Sequence, residues 1–213
     1  MSADYQQQRE KMIERQIINR GINEREIIEA FRQVPRHEFV PKERKSQAYE
    51  DRPLPIGENQ TISQPYIVAY MIEKITPAAD DRVLEVGSGC GYVLALLAHL
   101  AGEVYGVERR KSLVKMSREN LNELGYNIEV KHGDGSRGWK EKSPFAGIIV
   151  SAAAAGVPEE LKQQLKVSGR MIIPVGKKMF HQQLLLVKRT GEDKFVRQKL
   201  DPVRFVPLVE GEE

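Results

Sequence analysis

The chain has 213 residues with a net charge of +3, from 33 basic and 30 acidic side chains. This length predicts one domain, and the near balance of charge gives no reason to expect a nucleic-acid partner. No stretch approaches the roughly 20 apolar residues of a membrane span, and the polar N-terminus does not resemble a signal peptide. Cys90 is the single cysteine, and the four histidines lack metal-ligand spacing. We therefore expect a cytoplasmic monomer that binds no metal, membrane or nucleic acid.

The N-terminal part, from Asp4 to about Phe39, has apolar residues at helical spacing. Within it, Asn23 followed by Glu26 predicts a capping box at the start of a second helix. Two prolines in "VPRHEFVP" then interrupt the helical pattern. Residues 41–62 have little periodicity and predict a loop, whereas "PYIVAYMIEKI" predicts a short helix with proline in its first turn.

From Arg82 onward, apolar strands alternate with helices. The predicted strands are "RVLEVG", "EVYGVE", "NIEVKH", "AGIIVSA" and "RMIIPVG", and the predicted helices are "YVLALLAHL", "KSLVKMSRENLNEL" and "PEELKQQL". Gly125 is expected to end the second of these helices, and Gly169 to form a turn before the last strand. This alternation predicts an α/β fold with a mostly parallel sheet and helices on both faces. The strands "QQLLLVKRT" and "KFVRQKLDPVRFVPL" are separated by "GED" and predict an antiparallel hairpin at the sheet edge.

A glycine loop, "LEVGSGCGY", follows the first α/β strand and carries Glu85. Glycine permits positive φ and a close approach of the backbone to a ligand, and the next helix offers unpaired N–H groups. Tyr92 stands where a dinucleotide fingerprint would need its third glycine. The pattern acid-x-G-x-G-x-G instead resembles the first motif of class I methyltransferases that use S-adenosylmethionine. The alternative is a glycine-rich turn with no ligand.

Two further acids follow the next two strands. Glu108 ends "VYGVE", where a carboxylate can accept hydrogen bonds from both ribose hydroxyls of a nucleoside. Asp134 lies in "HGDG", and the methyltransferase resemblance implies a place near the adenine. Glu108 alone would indicate a solvated helix cap, but three consecutive strand ends favour a cofactor site. The predicted cofactor-binding residues are Gln60, Thr61, Ile62, Glu85, Gly87, Ser88, Gly89, Gly91, Glu108, Arg109, Asp134 and Gly135.

Nearly the whole chain, from "VPRHEFVP" to "RFVPL", resembles the protein-L-isoaspartate O-methyltransferase family. "QTISQP" and "RFVPL" are specific to that family, whereas the glycine loop is shared by many methyltransferases. The resemblance implies a Rossmann-like class I fold with a seven-stranded sheet and an N-terminal helical extension. It also implies methylation of the α-carboxylate of L-isoaspartyl residues in damaged proteins and peptides, which starts repair through a succinimide and leaves S-adenosyl-L-homocysteine. Tyr66 and Ser151 depart from the residues that many members carry.

Ser63 in "QTISQP" corresponds to the residue taken as catalytic in the family. An α-carboxyl is ionised at neutral pH, so the methyl acceptor needs no general base. We therefore assign Ser63 to orienting the carboxylate through a hydrogen bond, with Thr61 and Gln64 as further donors of the same kind. Spacing alone favours another interpretation, in which Ser63 caps the helix that begins at Pro65.

Within a single methyltransferase domain, we expect three parts: a helical extension and loop over residues 1–62, a cofactor-binding α/β core over 63–176, and antiparallel strands over 177–213. One rival function is a methyltransferase of the same fold that acts on RNA or a small molecule. The basic stripe with aromatics that is typical of RNA enzymes is not evident. Another rival is a non-catalytic cofactor-binding or interaction module. The intact set of Glu85, Gly87, Gly89, Gly91 and Ser63 argues against such a module.

Overall fold

The computed structural model describes residues 2–176 and 182–211. Its strands are β1 (Leu54–Gly57), β2 (Gln60–Ile62), β3 (Arg82–Val86), β4 (Glu103–Glu108), β5 (Glu129–His132), β6 (Phe145–Val150), β7 (Leu165–Val175), β8 (Gln182–Gly191) and β9 (Lys194–Val203). Seven of them form one sheet in the order β5-β4-β3-β6-β7-β8-β9, and β1 pairs with β2. The strands from β3 to β7 pair in parallel, and β8 and β9 are antiparallel. The predicted sheet and its C-terminal hairpin are confirmed.

The α-helices are α1 (Ser2–Met12), α2 (Arg25–Gln33), α3 (Pro65–Ile75), α4 (Tyr92–Leu97), α5 (Lys111–Glu123) and α6 (Glu159–Gln163). A π-helical turn and a 3-10 turn extend α1 to Arg20, so the predicted helical N-terminal part is confirmed. Pro65 is the first residue of α3, as expected from its fixed φ and missing N–H. Gly125 follows α5 with a φ of +80°, which confirms that glycine ends this helix.

The sheet is covered by helices on both faces. On one face, α2, α3 and α4 pack their apolar side chains against strand residues such as Ile149 and Ile172. On the other face, Leu161 of α6 belongs to a second buried cluster with Phe145 and Ile148. Neighbouring residues of a strand point to opposite faces of the sheet. Since helices cover both faces here, every residue of β6 is buried. This burial explains why its sequence is a continuous apolar run.

Residues 41–62 are not a loop, and that prediction is wrong. They contain a 3-10 helix at Lys42–Gln47 and then the β1–β2 hairpin. β1 alternates in burial over only four residues, two of them Pro55 and Gly57, and β2 has only three residues. Their turn is made by Glu58 and Asn59, both with positive φ (+52° and +55°), so no glycine marks the turn itself.

Three other local predictions are also wrong. Glu24 is the N-cap of α2 without a side-chain cap, and Asn23 donates its amide to the carbonyl of Gly21 instead of forming a capping box. Gly169 lies inside β7 at a register shift, where a Cβ would come within 2.8 Å of the Lys166 carbonyl oxygen. The second strand of the predicted hairpin, "KFVRQKLDPVRFVPL", was expected to run to Leu208, but β9 ends at Val203. The three-part division of the chain stays a prediction, and its last boundary lies outside the described residues.

Candidate functional site

The glycine loop lies at the carboxyl end of β3 and leads into α4. Gly87, Gly89 and Gly91 have φ values of +78°, +53° and +89°. A Cβ on Gly89 would lie 3.2 Å from Cδ1 of Ile56 in β1. The β1–β2 hairpin therefore packs directly over the loop, and glycine permits this close approach.

A cavity of about 270 Å³ opens beside this loop, and we name it the glycine-loop cavity. Ten of the twelve predicted cofactor-binding residues line it: Gln60, Thr61, Ile62, Glu85, Gly87, Ser88, Gly89, Glu108, Arg109 and Gly135. Further lining residues that sequence analysis missed are Asn59, Cys90, Tyr92, Arg110, Leu113, Ala152 and Pro207 to Val209. The family-specific "RFVPL" was the signal that could have indicated part of this last segment.

Gly91 and Asp134 are not among the residues that line the cavity. Gly91 faces α5, where a Cβ would lie 2.7 Å from the Ser117 hydroxyl. The Asp134 carboxylate accepts hydrogen bonds from the backbone N–H of Ser136 (2.9 Å) and of Gly211 (2.7 Å). Burial alone would raise the pKa of Asp134, but these hydrogen bonds outweigh it and lower the pKa below 3.8. Asp134 thus anchors the chain's C-terminal segment beside the cavity.

Glu108 holds the glycine loop and still faces the cavity. Its Oε2 accepts a hydrogen bond from the N–H of Gly89, and its Oε1 accepts one from the N–H of Arg110, both at 2.9 Å. Each oxygen of an ionised carboxylate can accept two hydrogen bonds. Glu108 therefore keeps the capacity to accept from a pair of ligand hydroxyls while it orders the loop.

Glu85 is the most deeply buried acid of the cavity, with 1% of its surface exposed. The Ser151 hydroxyl donates to its Oε1 at 2.7 Å, whereas its Oε2 and the Ser88 hydroxyl have no partner among the described residues. Burial raises the pKa of Glu85 to about 8. Buried polar atoms nearly always have hydrogen-bond partners. These unpaired atoms therefore fit a charged hydrogen-bond donor, such as the ammonium group at the amino-acid end of S-adenosylmethionine.

A second cavity, of about 880 Å³, adjoins the first, and we name it the large cavity. Its wall includes the aromatic residues Tyr66 and Tyr70, which stack with ring centres 5.9 Å apart. Arg20 lies over the Tyr66 ring at 5.0 Å and forms an ion pair with Asp51. Burial and a hydrogen bond to Asp201 raise the pKa of Tyr70 to about 12. The wall is therefore mixed in character, which suits an extended polypeptide better than a wholly apolar ligand. The two cavities meet at four shared residues, Thr61, Ser63, Ser151 and Val206.

Ser63 lies at this junction, between the end of β2 and the start of α3. The N-cap of α3 is Gln64, and it makes no side-chain cap hydrogen bond, so Ser63 does not cap the helix as spacing alone suggested. The Ser63 carbonyl accepts a hydrogen bond of 2.8 Å from Nη2 of Arg36. Gln64 donates to the Asp51 carboxylate at 2.8 Å and is already engaged in the wall.

Residues 2–176 and 182–211 contain no cluster of three metal-ligating side chains. His181 lies outside these ranges. Within the same ranges, no helix has the length and apolar character needed to cross a membrane.

Comparison with known proteins agrees with this geometry. The sequence profile of the protein-L-isoaspartate(D-aspartate) O-methyltransferase family matches residues 7–213. A protein-L-isoaspartate O-methyltransferase of Pelotomaculum thermopropionicum is 51% identical over 207 residues, which cover 97% of this chain and 90% of that protein. One from Pelobacter propionicus, named protein-L-isoaspartate O-methyltransferase 2, is 50% identical over 205 residues, or 96% of this chain and 91% of that protein.

Solved structures show the same fold. A Plasmodium falciparum structure, described as a protein-L-isoaspartate O-methyltransferase in complex with S-adenosyl-L-homocysteine, is 25% identical, with a TM-score of 0.81 over 96% of this chain and 98% of that one. Another structure named protein-L-isoaspartate O-methyltransferase is 31% identical, with a TM-score of 0.86 over 93% of this chain and 65% of that one. The match over almost the full length of the chain shows that this chain belongs to the protein-L-isoaspartate (D-aspartate) O-methyltransferase family.

Proposed function

We propose that this enzyme transfers the methyl group of S-adenosylmethionine to the α-carboxylate of L-isoaspartyl residues in damaged proteins and peptides. The observation that carries the proposal is the junction of the two cavities at Thr61, Ser63, Ser151 and Val206. A methyl donor in one cavity and a polypeptide carboxylate in the other would meet at this junction. The match to the protein-L-isoaspartate(D-aspartate) O-methyltransferase family supports this reaction.

The glycine-loop cavity is the proposed donor site. S-adenosylmethionine supplies an electrophilic methyl group on a sulfonium when bound there. Glu108 accepts hydrogen bonds from the ribose hydroxyls, and Glu85 with Ser88 binds the polar amino-acid end. The hairpin residues Gln60, Thr61 and Ile62 cover the donor and exclude water from it. The glycine loop and Arg109 complete the wall.

The large cavity is the proposed polypeptide site, and Ser63 orients the carboxylate at its inner end. The carboxylate is itself the nucleophile and is ionised at neutral pH, so no protein group has to remove a proton. Ser63 donates a hydrogen bond to one oxygen and leaves the other free to approach the methyl group in line. Positioning of this kind supplies roughly 7–11 kcal/mol of barrier reduction in favourable cases. α3 begins at the same place, and the positive end of a helix dipole favours an anion.

The product is a methyl ester on the isoaspartyl residue. Methanol is a better leaving group than hydroxide, so the neighbouring backbone nitrogen closes a succinimide without further help from the enzyme. Hydrolysis of the succinimide returns a mixture of aspartyl and isoaspartyl linkages. Repeated methylation of the isoaspartyl fraction therefore drives net repair.

Cytoplasmic location and a monomeric state are part of this proposal. The single cysteine supports the first, because secreted proteins of this size more often use disulfides. The nearly balanced charge supports the absence of a nucleic-acid partner.

The test measures label transfer from methyl-labelled S-adenosylmethionine to two peptides that differ only in an isoaspartyl or an aspartyl linkage. We expect base-labile label on the isoaspartyl peptide alone. Ser63→Ala should lower kcat at least about tenfold, because it removes an orienting hydrogen bond to the reacting carboxylate. Its affinity for S-adenosyl-L-homocysteine, measured by calorimetry, should stay within about twofold of the parent, since the donor wall is otherwise intact.

Ser143→Ala is the matched control. Its hydroxyl donates to the Lys140 carbonyl just before β6, at the amino end of this strand and away from the cavities at the carboxyl ends. It should keep the parent's kcat. Label on neither peptide, in a protein that binds S-adenosyl-L-homocysteine, would overturn the repair function in favour of an RNA or small-molecule acceptor. Unchanged kcat in Ser63→Ala would overturn only the role given to Ser63.

A further inference from the structure

We propose that Arg36 is a positioning residue that holds Ser63 at the junction of the two cavities. Its side chain lies in neither cavity wall, and sequence analysis gave it no role. The inference rests on the orienting function proposed for Ser63. It adds that this function depends on the buried guanidinium of Arg36, which donates a hydrogen bond to the backbone carbonyl of Ser63.

The geometry is that of one rigid group joining two distant segments. The Arg36 side chain is fully buried, with 0% exposed. Its Nε donates to the carbonyl of Ala48 at 2.7 Å, and its Nη2 donates to the carbonyl of Ser63 at 2.8 Å. Because a guanidinium is planar and its donors are fixed relative to one another, the two carbonyls are held in one geometry. The segment that precedes α3 is thereby tied to the segment that precedes β1.

Burying the charged Arg36 side chain in the core has a free-energy cost, so stability alone does not explain an arginine at this position. No ion pair between Arg36 and an acidic side chain is present among the described residues, and its Nη1 has no hydrogen-bond partner there. Burial lowers the pKa of Arg36, which reflects the cost of keeping a charge out of water. The guanidinium instead packs against the ring of Tyr92, whose centre lies 5.0 Å away. An apolar residue of similar volume often replaces a buried charge at no loss of stability.

The hydrogen bond from Arg36 restrains the backbone of Ser63 in a short connection between two elements. It lies in a two-residue connection between Ile62, which ends β2, and Pro65, which begins α3. Neither the β1–β2 ladder nor the hydrogen bonds inside α3 include the Ser63 carbonyl, so Arg36 supplies its restraint. Loss of this restraint would let the backbone that carries the serine hydroxyl shift relative to the junction. Misplacement by about 1 Å can lower a rate about a hundredfold.

The experiment compares Arg36→Met with Arg189→Met, each in the full chain and well below its unfolding temperature. Arg189 is a matched control because its Nη1 also donates to carbonyls of other elements, those of Leu165 (2.6 Å) and Gln163 (3.0 Å). These contacts lie where β7 begins, at the end of the sheet away from the two cavities. Three quantities are measured: kcat on the isoaspartyl peptide, the Kd of S-adenosyl-L-homocysteine, and hydrogen–deuterium exchange over residues 60–66.

For Arg36→Met we expect kcat to fall roughly tenfold to a hundredfold, and exchange over residues 60–66 to become faster. The Kd should change less than about threefold, because the glycine loop and its acids remain in place. Arg189→Met should keep the parent's kcat and the parent's exchange over 60–66. A kcat within twofold of the parent in folded Arg36→Met overturns the proposal, and so does an equal loss of kcat in Arg189→Met.

Arg36→Lys decides the question if Arg36→Met does not fold. Lysine keeps the charge but reaches the two carbonyls with a single ammonium, so kcat should fall at least about threefold and exchange over 60–66 should rise. Parent values for both would overturn the proposal. An inactive parent enzyme would instead contradict the proposed function, so the two failures are distinguishable.

Discussion

Glu85 lies in β3 and Asp134 directly follows Gly133 after β5, and the pKa values of these two carboxyl groups shift in opposite directions. Asp134 receives hydrogen bonds from backbone N–H groups, and they lower its pKa. Glu85 receives one hydrogen bond, from Ser151, and burial raises its pKa to about 8. The difference lies in the donors present, since both carboxyl groups are largely removed from water. Glu85 is therefore the acid whose charge depends on pH near neutrality.

Glu85→Gln should change how stability depends on pH. A carboxyl with a raised pKa in the folded state contributes stability below its unfolded value of 4.5 and loses it as pH rises through about 8. Glutamine carries no charge at any pH and avoids this loss. Near pH 4.5 we expect the parent and the variant to have the same melting temperature. At pH 8.5 the melting temperature of the variant should be higher by about 2–4 °C or more. The measurement is thermal unfolding of the ligand-free protein across this range.

Glu123→Gln is the control for this experiment, because Glu123 is an exposed acid on α5. Its melting temperature should follow the parent's at every pH. A Glu85→Gln variant whose melting temperature differs from the parent by the same amount at pH 4.5 and pH 8.5 would contradict the raised pKa.

Glycine positions near the site differ in what they require from the fold. Gly91 combines a φ of +89° with a Cβ position 2.7 Å from the Ser117 hydroxyl, whereas Gly125 has a φ of +80° and open space around it. Alanine at Gly125 should cost about 1–2 kcal/mol, from the left-handed backbone alone. Alanine at Gly91 should cost more than Gly125→Ala by at least about 1 kcal/mol, since α5 must also shift. Urea unfolding of the two variants gives both free energies, and equal values would contradict the close packing of α5 on the loop.

At the scale of elements, the β1–β2 hairpin is fastened to α5 across the glycine-loop cavity. Its turn residue Glu58 accepts a hydrogen bond from the Ser112 hydroxyl at 3.0 Å and pairs with Arg110 at 3.4 Å. On its underside, Ile56 packs on the glycine loop. Because this hairpin covers the proposed donor site, its attachment should influence how fast the donor product leaves.

Glu58→Gln should weaken this attachment without destabilising the fold. Exposed ion pairs contribute roughly 0.2–1 kcal/mol, so the melting temperature should shift by less than about 3 °C. The dissociation rate of S-adenosyl-L-homocysteine, measured by stopped flow, should rise by roughly 1.4-fold to fivefold, as that energy range implies. Glu129→Gln breaks a comparable pair with Lys142 far from the cavity and should leave the rate unchanged. An unchanged rate in Glu58→Gln would show that the hairpin does not control release.

Strands and helices with a long apolar pattern were predictable, and the short ones were not. β6 and α3 follow from an apolar run and from a proline-led helical pattern. β1 has four residues, the minimum for a recognisable alternating pattern, and β2 has three, which is below it. The site shows a similar limit: family motifs indicated the glycine loop and Ser63, whereas Arg36 contributes through contacts with Ala48 and Ser63 that no local spacing encodes.

At the scale of the whole molecule, the chain after β9 crosses the carboxyl edge of the sheet and contributes to both cavities. The N–H of Leu208 donates to the carbonyl of Ala153 at 2.8 Å, and the Val206 carbonyl accepts from the N–H of Ala153 at 2.7 Å. Farther on, the N–H of Gly211 donates to Asp134. This segment is the last part of the described chain and closes the cavity walls that the strand ends leave open.

A variant that ends at Val203 should fold and bind the donor product more weakly. The sheet is complete at Val203, so circular dichroism should show parent secondary structure. The lost segment includes Val206 to Val209, which line the glycine-loop cavity, so the Kd of S-adenosyl-L-homocysteine should rise at least about tenfold. Calorimetry measures this constant, and a Kd within twofold of the parent would contradict the role of the segment. Val196→Ser, an exposed change on β9, is the control and should bind normally.

The narrow junction between the two cavities also bears on how such an enzyme can diversify. Four residues belong to both walls, and the remaining residues belong to one wall or the other. Replacements at Tyr66 or Tyr70 can therefore alter which polypeptides are accepted without touching a group that holds the donor. A change in acceptor range and retention of donor binding can therefore arise from different residues, because the two walls share only four positions.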